Sequence, residues 1–396
     1  MIIEIRKAGF INKGAELKLL ALVERLRAAY PDATLSMKPT APHNSQPFSK
    51  LTALGFYPKA SLYFLGIEWG DAACLIPARL RRQYGLVLDR EVDVIIDAAG
   101  FAYGDQWGSA RSLELARTTR RWRRQGTKVI LMPQAFGPFT DPVIRSAIKK
   151  SVDNADLVFP RDSSSYRYLT EVTGERDYIR QYPDFTNLIE GVAPEEADSE
   201  KRGVAIVPNY RMIDMTDAAT SDSYVPFMIR CAEYLVELNA QPYVLVHEGV
   251  DDERIAEQIS GACGGIPIVR EDDPLKIKGI LGASGAVVAS RFHALVNALS
   301  QGVPSVATGW SHKYKELFDD YSFPEGVLSI NDDFSNTRAM LQKLVDNETN
   351  QAISIQLLQR SAILKALSEA MWVDVQSVID SCRCAPSALV RPEGPF

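Results

Sequence analysis

Two arginines and a histidine stand where a small anion can be held. In the second half of the chain the apolar run GAVVAS leads directly into Arg291-Phe292-His293, and ALVNALSQG then reads as a helix closed by Gly302 and Pro304. Arg291 and His293 are two residues apart, so a tight strand-to-helix turn brings both to one anion, the arginine as a bidentate clamp and the histidine as proton donor. In the first half LVFP is followed by Arg161-Asp162-Ser163-Ser164-Ser165, where Asp162 or Ser163 suits a helix cap. The arginines thus hold like positions in the two halves, and a ligand with two anionic groups can be gripped from both sides. Each also has a plainer reading: Arg291 pairs with a carboxylate while His293 caps the helix, and Arg161 forms a surface ion pair with Asp162 or Asp184. Gly100 after VIIDAA, Gln134 in PQAFGPF, and His247 with Glu248 in VLVHEG are further polar groups at strand ends. The turn Asn12-Lys13-Gly14-Ala15-Glu16 can cradle a phosphate or shape an acceptor site.

These residues need strands that end together. Short β-rich runs, IIEIR, ATLSMK, SLYFLG, DVIIDAAG, KVILMPQA and LVFPRD, alternate with amphipathic stretches such as GAELKLLALVERLRAAY. Continuous apolar runs suit parallel sheets covered on both faces. GVAIVPN, PYVLVHEG, GAVVASRF and PSVATGW repeat the alternation in the second half, and from about 335 to 381 the pattern is only helical. The expectation is an α/β chain of two doubly wound, Rossmann-like domains, residues 1–190 and 203–396, the second carrying the carboxyl-terminal helices. The acidic stretch 190–203 reads as an exposed linker, and Lys201 and Arg202 would make it a trypsin-sensitive hinge. In such sheets ligands sit at the carboxyl ends of the strands.

Composition narrows the function. Hydrophobic residues are 46% and charged residues 24% of 396, which excludes collagen, coiled coil and wholesale disorder. No apolar run approaches the roughly 18 residues of a membrane span, and MIIEIRKAGF does not read as a secretory signal, so a cytoplasmic protein is expected. Five cysteines without CxxC spacing read as reduced thiols. Residues 1–150 hold 23 basic and 13 acidic side chains, and the remainder 21 and 37. The amino-terminal half should therefore meet something anionic. Arg117, Arg120, Arg121, Arg123 and Arg124 around Trp122, with Arg79, Arg81 and Arg82, suggest an anionic membrane face. The chain has no GxGxxG or GxxxxGK[ST] loop and no HExxH, DxD or paired Cys/His motif, so no cofactor and no metal are expected, nor is a nucleic-acid partner.

NKGAE near the start, PRDSSSYRYL at 160–169, and SRFHALVNALSQGVPSVATGWSHKYKELF at 290–318 together resemble the polysaccharide pyruvyltransferase family. The last block is the specific one, with its Arg-x-His before a helix, a Gly-Val-Pro leading into a strand, and a following lysine, Lys313. The resemblance spans, with gaps, about residues 8–320. It implies a GT-B-like fold that uses phosphoenolpyruvate to build a pyruvate ketal on a sugar, with a lipid-linked glycan as the expected acceptor. Many members carry Asp after the amino-terminal Asn-x-Gly where this chain has Ala15-Glu16, and a Gly-rich triplet where it has Asp97-Ala98-Ala99-Gly100.

Phosphoenolpyruvate carries a phosphate and a carboxylate on three carbons, which fits opposed arginines and a helix amino terminus. Ketal formation needs a proton at the methylene carbon, for which His293 is the candidate acid, and a general base, for which Glu16 and Asp97 are candidates. Lys313 can neutralise the departing phosphate. The alternative is a nucleotide-sugar-dependent GT-B glycosyltransferase, because fold does not settle function.

Overall fold

The computed structural model describes residues 1–42, 44–61, 63–64, 67–68, 70–194, 203–309 and 311–383. Residues 195–202 of the linker, with Lys201 and Arg202, and Cys384 lie outside them. The apolar runs become two parallel sheets. Strands β1 (Ile2–Arg6), β2 (Thr34–Met37) and β3 (Tyr57–Pro58) are followed by an antiparallel pair, β4 (Tyr63–Phe64) and β5 (Ile67–Glu68). Then come β6 (Val94–Asp97), β7 (Phe101–Tyr103), β8 (Lys128–Phe136) and β9 (Leu157–Pro160). The first sheet runs β3-β2-β1-β6-β8-β7, with β9 also on β8. The second is built from β10 (Val204–Val207), β11 (Tyr243–Val246), β12 (Ile268–Arg270), β13 (Ala286–Ala289) and β14 (Ser305–Ala307), in the order β12-β11-β10-β13-β14. Both have the doubly wound order in which the chain reverses direction beside the first strand. The pairs β1·β6 (Ile5 beside Ile96) and β10·β13 (Ile206 beside Val288) therefore mark the two ligand crevices.

The helices are α1 (Lys13–Ala29), α2 (Phe48–Ala53), α3 (Ala78–Gln83), α4 (Ser109–Gln125), α5 (Pro142–Val152) and α6 (Ser163–Thr173) in the first unit. The second has α7 (Arg211–Asp214), α8 (Ala218–Glu237), α9 (Gly249–Ala262), α10 (Pro274–Ala283), α11 (Phe292–Leu299), α12 (His312–Asp320), α13 (Phe334–Val345) and α14 (Asn347–Arg383). α1 shows how the sequence sets the packing: Leu17, Leu19, Leu22, Val23 and Leu26 are buried, each such side chain contributing roughly 1.5–3 kcal/mol. Asn12 caps it by accepting from the Ala15 N–H at 3.0 Å.

Three expectations change. SLYFLG does not supply the third strand of the first sheet. Tyr57–Pro58 does, and Tyr63–Phe64 belongs to the small antiparallel pair, because two residues of edge pairing leave almost no periodic signal. β7 and β12, three residues each, escape the sequence pattern for the same reason. The bounds 203–396 also need amending. Leu357 and Leu364 of α14 lie in the second core, but Met371, Trp372, Val375 and Ile379 complete the first. A helix that is amphipathic throughout does not announce that it changes partners half-way. Among the described residues no helix is long and apolar enough to cross a membrane.

Candidate functional site

Asp184 is the centre of the site, although it lies on no regular strand or long helix. One carboxylate oxygen accepts from the Thr186 N–H at 3.1 Å and the Thr186 hydroxyl at 2.7 Å. The other accepts from Arg161 Nη1 at 2.9 Å and lies 3.6 Å from His293 Nε2. Arg161 leaves β9 with its backbone N–H bonded to the Gln134 carbonyl and lays its guanidinium over the Phe292 ring, 4.0 Å from the centroid. Consecutive residues at the start of α11 therefore act together, Phe292 under the arginine and His293 beside the carboxylate. Asp162 caps α6, accepting from the Ser165 N–H at 2.7 Å, so the expected cap is Asp162 and not Ser163.

α1 approaches His293 from the first unit. A Cβ on Gly14 would stand 2.1 Å from His293 Nδ1, so only glycine admits the imidazole against this turn. One turn further on, Lys18 is 1% exposed and donates to the Ala99 carbonyl at 3.2 Å. Gly100 leaves room for it, since a Cβ there would meet Lys18 Nζ at 3.1 Å. Lys313, at the start of α12, lies 5.5 Å from the Phe101 and Phe292 ring centroids. Arg161, Lys18 and Lys313, with His293, thus gather beside Asp184.

The titrations follow from that crowding. Burial tends to raise the Asp184 pKa, but Lys18, His293 and Arg161 hold it well below the usual range. Burial pushes the Lys18 ammonium down to about 8, with Asp184 opposing and Arg161 adding to the shift. Lys313 falls well below its ordinary value through burial and repulsion by Arg161, Lys18 and Arg291. Burial takes His293 down to about 4 despite Asp184, and Lys18 and Arg161 contribute. Behind the cluster lies a cavity of about 20 Å³ bounded by Arg161, Asp162, Asp184, Phe292, Lys313 and Asp320. Burial, then Asp162 and Glu316, lift Asp320 to about 7. Buried polar atoms are nearly always paired. Here the amide of Gln134, Asp162 Oδ2, His293 Nε2, Ser311 Oγ and His312 Nε2 have no hydrogen-bond partner among the described residues. His312 stands between Phe101 and Tyr168, ring centroids 5.6 and 6.0 Å away, and 4.0 Å from Asp162.

Arg291 does not join this cluster as a second clamp. It donates from Nε to Asp252 at 2.8 Å, places Nη2 2.6 Å from the same carboxylate, and bonds Glu248 through Nη1. Glu248 also accepts from Asn12 Nδ2 at 2.7 Å, which ties the α1 cap to the second unit. Arg161 thus faces the shared space, whereas Arg291 is paired with carboxylates of its own unit. His247, buried beside it, titrates well below the usual imidazole value through burial, Arg291, His293 and Lys13. Glu16 lies near Lys13 at 3.4 Å, and burial raises its pKa. Asp97 is less available as a base than expected, since it is 1% exposed and accepts from the Ala99 N–H at 3.1 Å and the Tyr103 hydroxyl at 2.9 Å.

The basic cluster of α4 also divides. Trp122 is buried under the Arg6 guanidinium, 4.7 Å away, and Arg121 lies 3.0 Å from Asp89, while Arg117, Arg120, Arg123 and Arg124 are exposed. Arg81 is buried against Glu91 at 2.6 Å, and Arg79 and Arg82 are exposed. Sequence reading weighed Asp184 only as a surface partner and passed over Lys18, whose sole signal is a lysine on the apolar stripe of α1. Among the described residues no three His, Cys, Asp or Glu side chains converge as a metal site.

Solved structures share this architecture at low identity. HepE from Anabaena in complex with UDP superposes with TM-score 0.58 and 11% identity, over 95% of this chain and 99% of that one. UDP-GlcNAc 2-epimerase from Neisseria meningitidis bound to UDP-GlcNAc gives 0.58 and 9%, over 95% and 99%. The lipopolysaccharide outer core galactosyltransferase WaaB gives 0.50 and 12%, over 96% and 99%. These likenesses establish the GT-B-like fold of two Rossmann-like units. No curated protein matches the chain. The model of the polysaccharide pyruvyl transferase family matches residues 12–312, a span holding the α1 turn, Arg161, Asp184 and the Arg291-Phe292-His293 turn, and the chain belongs to that family, transferases of polysaccharide biosynthesis.

Proposed function

We propose that the protein transfers the pyruvyl group of phosphoenolpyruvate to two hydroxyls of one sugar as a ketal. The carrying observation is the convergence of Arg161, Lys18 and Lys313, which repel one another, with His293 beside Asp184 between the two units. A small polyanion relieves that repulsion. Arg161 and Lys313 take the phosphate and carboxylate, and the unpaired polar atoms of Gln134, Ser311 and His312 offer further hydrogen bonds. His293 is neutral in the free enzyme. Nearby donor charge raises its pKa, so the anion brings in the proton that His293 then delivers to the methylene carbon. The central carbon becomes electrophilic, a sugar hydroxyl adds with loss of its proton to a base, phosphate leaves as its C–O bond breaks, and the second hydroxyl closes the ring, its proton passing to the now neutral His293. Glu16, with a raised pKa beside the α1 turn, serves as that base better than the fully engaged Asp97. The cationic groups supply the charge neutralisation that a divalent ion would, so turnover should need no metal.

A cavity of about 20 Å³ holds little more than a water, so donor binding requires the units to part and close again. Phosphoenolpyruvate should raise the melting temperature, and a glycan acceptor should then release inorganic phosphate in the presence of chelator. Stabilisation by UDP-glucose and not by phosphoenolpyruvate would favour the nucleotide-sugar reading instead. The expected lipid-linked acceptor also gives a reason for membrane contact. Leu75, Leu80 and Tyr84 are 85, 44 and 73% exposed beside Arg79 and Arg82, a surface suited to anionic headgroups at the inner face of a cytoplasmic membrane. Co-sedimentation with phosphatidylglycerol vesicles, lost on replacing Leu75 and Tyr84 by Ser, tests it.

A further inference from the structure

A second opening lies on the first unit, beside the α1 turn. It is a groove of about 860 Å³ at the carboxyl end of β1, running from Asn12 and Ala15 to the exposed side of α4, and its size falls within the roughly 300–1,000 Å³ of ligand pockets. Arg6, Lys7, Lys38, Arg117 and Arg121 line it together with one carboxylate, Glu114. Glu114 pairs with Arg6 at 2.6 Å and Lys7 at 2.9 Å. Burial raises the Glu114 pKa, but those two cations bring it down to about 2, so it remains charged. Behind the wall, Glu4 and Asp89 bind the buried Lys59 at 2.5 Å each. Glu4 also lies 3.7 Å from Arg6 Nε, and among the described residues Arg6 Nη1 is buried without a hydrogen-bond partner. Lys7 stands in the left-handed region with φ of 60°, a conformation that costs energy for a side-chain-bearing residue and persists where surrounding structure enforces it.

Neither the family nor the donor site accounts for this groove. We propose that it binds a phosphate or diphosphate ester carried by the sugar acceptor, with Lys38 and Arg117 as outer contacts and Arg6 and Lys7 as inner ones. The four cations come from three separate elements, so a group with several anionic oxygens spans them where a single carboxylate would satisfy one pair. The groove ends at Asn12 and Ala15 of α1, whose Gly14 abuts His293, so a sugar attached to the bound ester lies toward the proton donor. The word acceptor rests on the pyruvyl-transfer reading. The binding does not.

The test is calorimetric titration of the intact protein with glucose 1-diphosphate, methyl glucoside and inorganic pyrophosphate, in wild type and in a Lys38→Ala, Arg117→Ala double variant. Arg117 is exposed and Lys38 half-buried, and an unchanged melting temperature verifies the fold. Glucose 1-diphosphate should bind at least ten-fold tighter than methyl glucoside and tighter than pyrophosphate. The double variant should remove most of that advantage, and saturating phosphoenolpyruvate should not displace the ligand. Equal binding of the ester and the glucoside, or an advantage intact in the double variant, overturns the proposal. Pyrophosphate binding as tightly as the ester makes the groove a free-anion site, which also overturns it. Failure of the pyruvyl-transfer reading would show separately, as absence of any phosphoenolpyruvate effect while glucose 1-diphosphate still binds.

Discussion

Arg161 and Arg291 each follow the carboxyl end of a parallel strand, β9 in the first unit and β13 in the second, and meet opposite electrostatic fates. Arg161 shares one carboxylate with Lys18 and His293 and rests on an aromatic ring, whereas Arg291 is held by two carboxylates. Burial raises the pKa of both Asp252 and Glu248, with Arg291 opposing. At the first arginine positive charge is crowded against Lys18 and Lys313. At the second it is spent within the fold. Position at a strand end therefore identifies where ligands approach, and at these two strand ends the neighbouring carboxylates separate the arginine that faces the shared space from the one held within its own unit.

The largest effect should fall on the side with crowded charge. Replacing His293 by Asn should lower kcat by about 10²–10⁴ while leaving phosphoenolpyruvate affinity within a few-fold. Because the free imidazole titrates near 4 and bound anion raises it, the limb requiring the protonated form should lie at higher pH in kcat than in kcat/KM. Coincident limbs would remove His293 from the acid role. The arginines come next. Arg161→Ala should abolish phosphoenolpyruvate-induced stabilisation and cost about 3–5 kcal/mol by stripping a buried carboxylate of its partner. Arg161→Lys should recover stability more than activity, since an ammonium does not reproduce the guanidinium fork. Arg291→Ala should destabilise by a similar mechanism yet weaken donor binding far less. Equal losses of donor affinity in the two Ala variants would break the comparison.

Two smaller effects sharpen it. Gly14→Ala should reduce turnover roughly ten-fold or more, because a methyl 2.1 Å from His293 Nδ1 must displace the ring, and misplacing a catalytic group by about 1 Å can cost 10²-fold. A normal rate would mean that the α1 turn does not position His293. The smallest concerns pH. The Lys18 pKa is about 8 in the folded protein, below the 10.4 of a free lysine, so the unfolded chain binds the extra proton between those values. Lys18 therefore contributes stability that increases with pH across that window. Below about pH 8 it is a buried cation at a cost that an anion relieves. Phosphoenolpyruvate should accordingly raise the melting temperature more at pH 7 than at pH 9.5, and equal shifts would exclude Lys18 from donor binding.

The sequence announces the doubly wound pattern because buried parallel strands are continuous apolar runs, and it announces Arg161 and His293 because strand ends are where such sheets bind ligands. Asp184 reads in the sequence only as a surface partner of Arg161, since YPDFTN carries no periodicity that would reveal its burial. Lys18 is hidden by the opposite cause, a strong helical pattern in which one polar residue on an apolar stripe reads as an exception. The commitment of Arg291 depends on Asp252, 39 residues away on α9, a pairing that no local pattern encodes.

The long helix α14 carries a consequence for the order of synthesis. At 1.5 Å per residue its 37 residues extend about 55 Å, with Leu357 and Leu364 against the second unit and Met371, Trp372, Val375 and Ile379 against the first. A ribosome that has finished the first unit has not yet made the side chains that close that unit's core. The first 190 residues must therefore wait, with an apolar face uncovered, until the last helix emerges. Premature termination near residue 345 would remove that cover from the half of the protein made earliest.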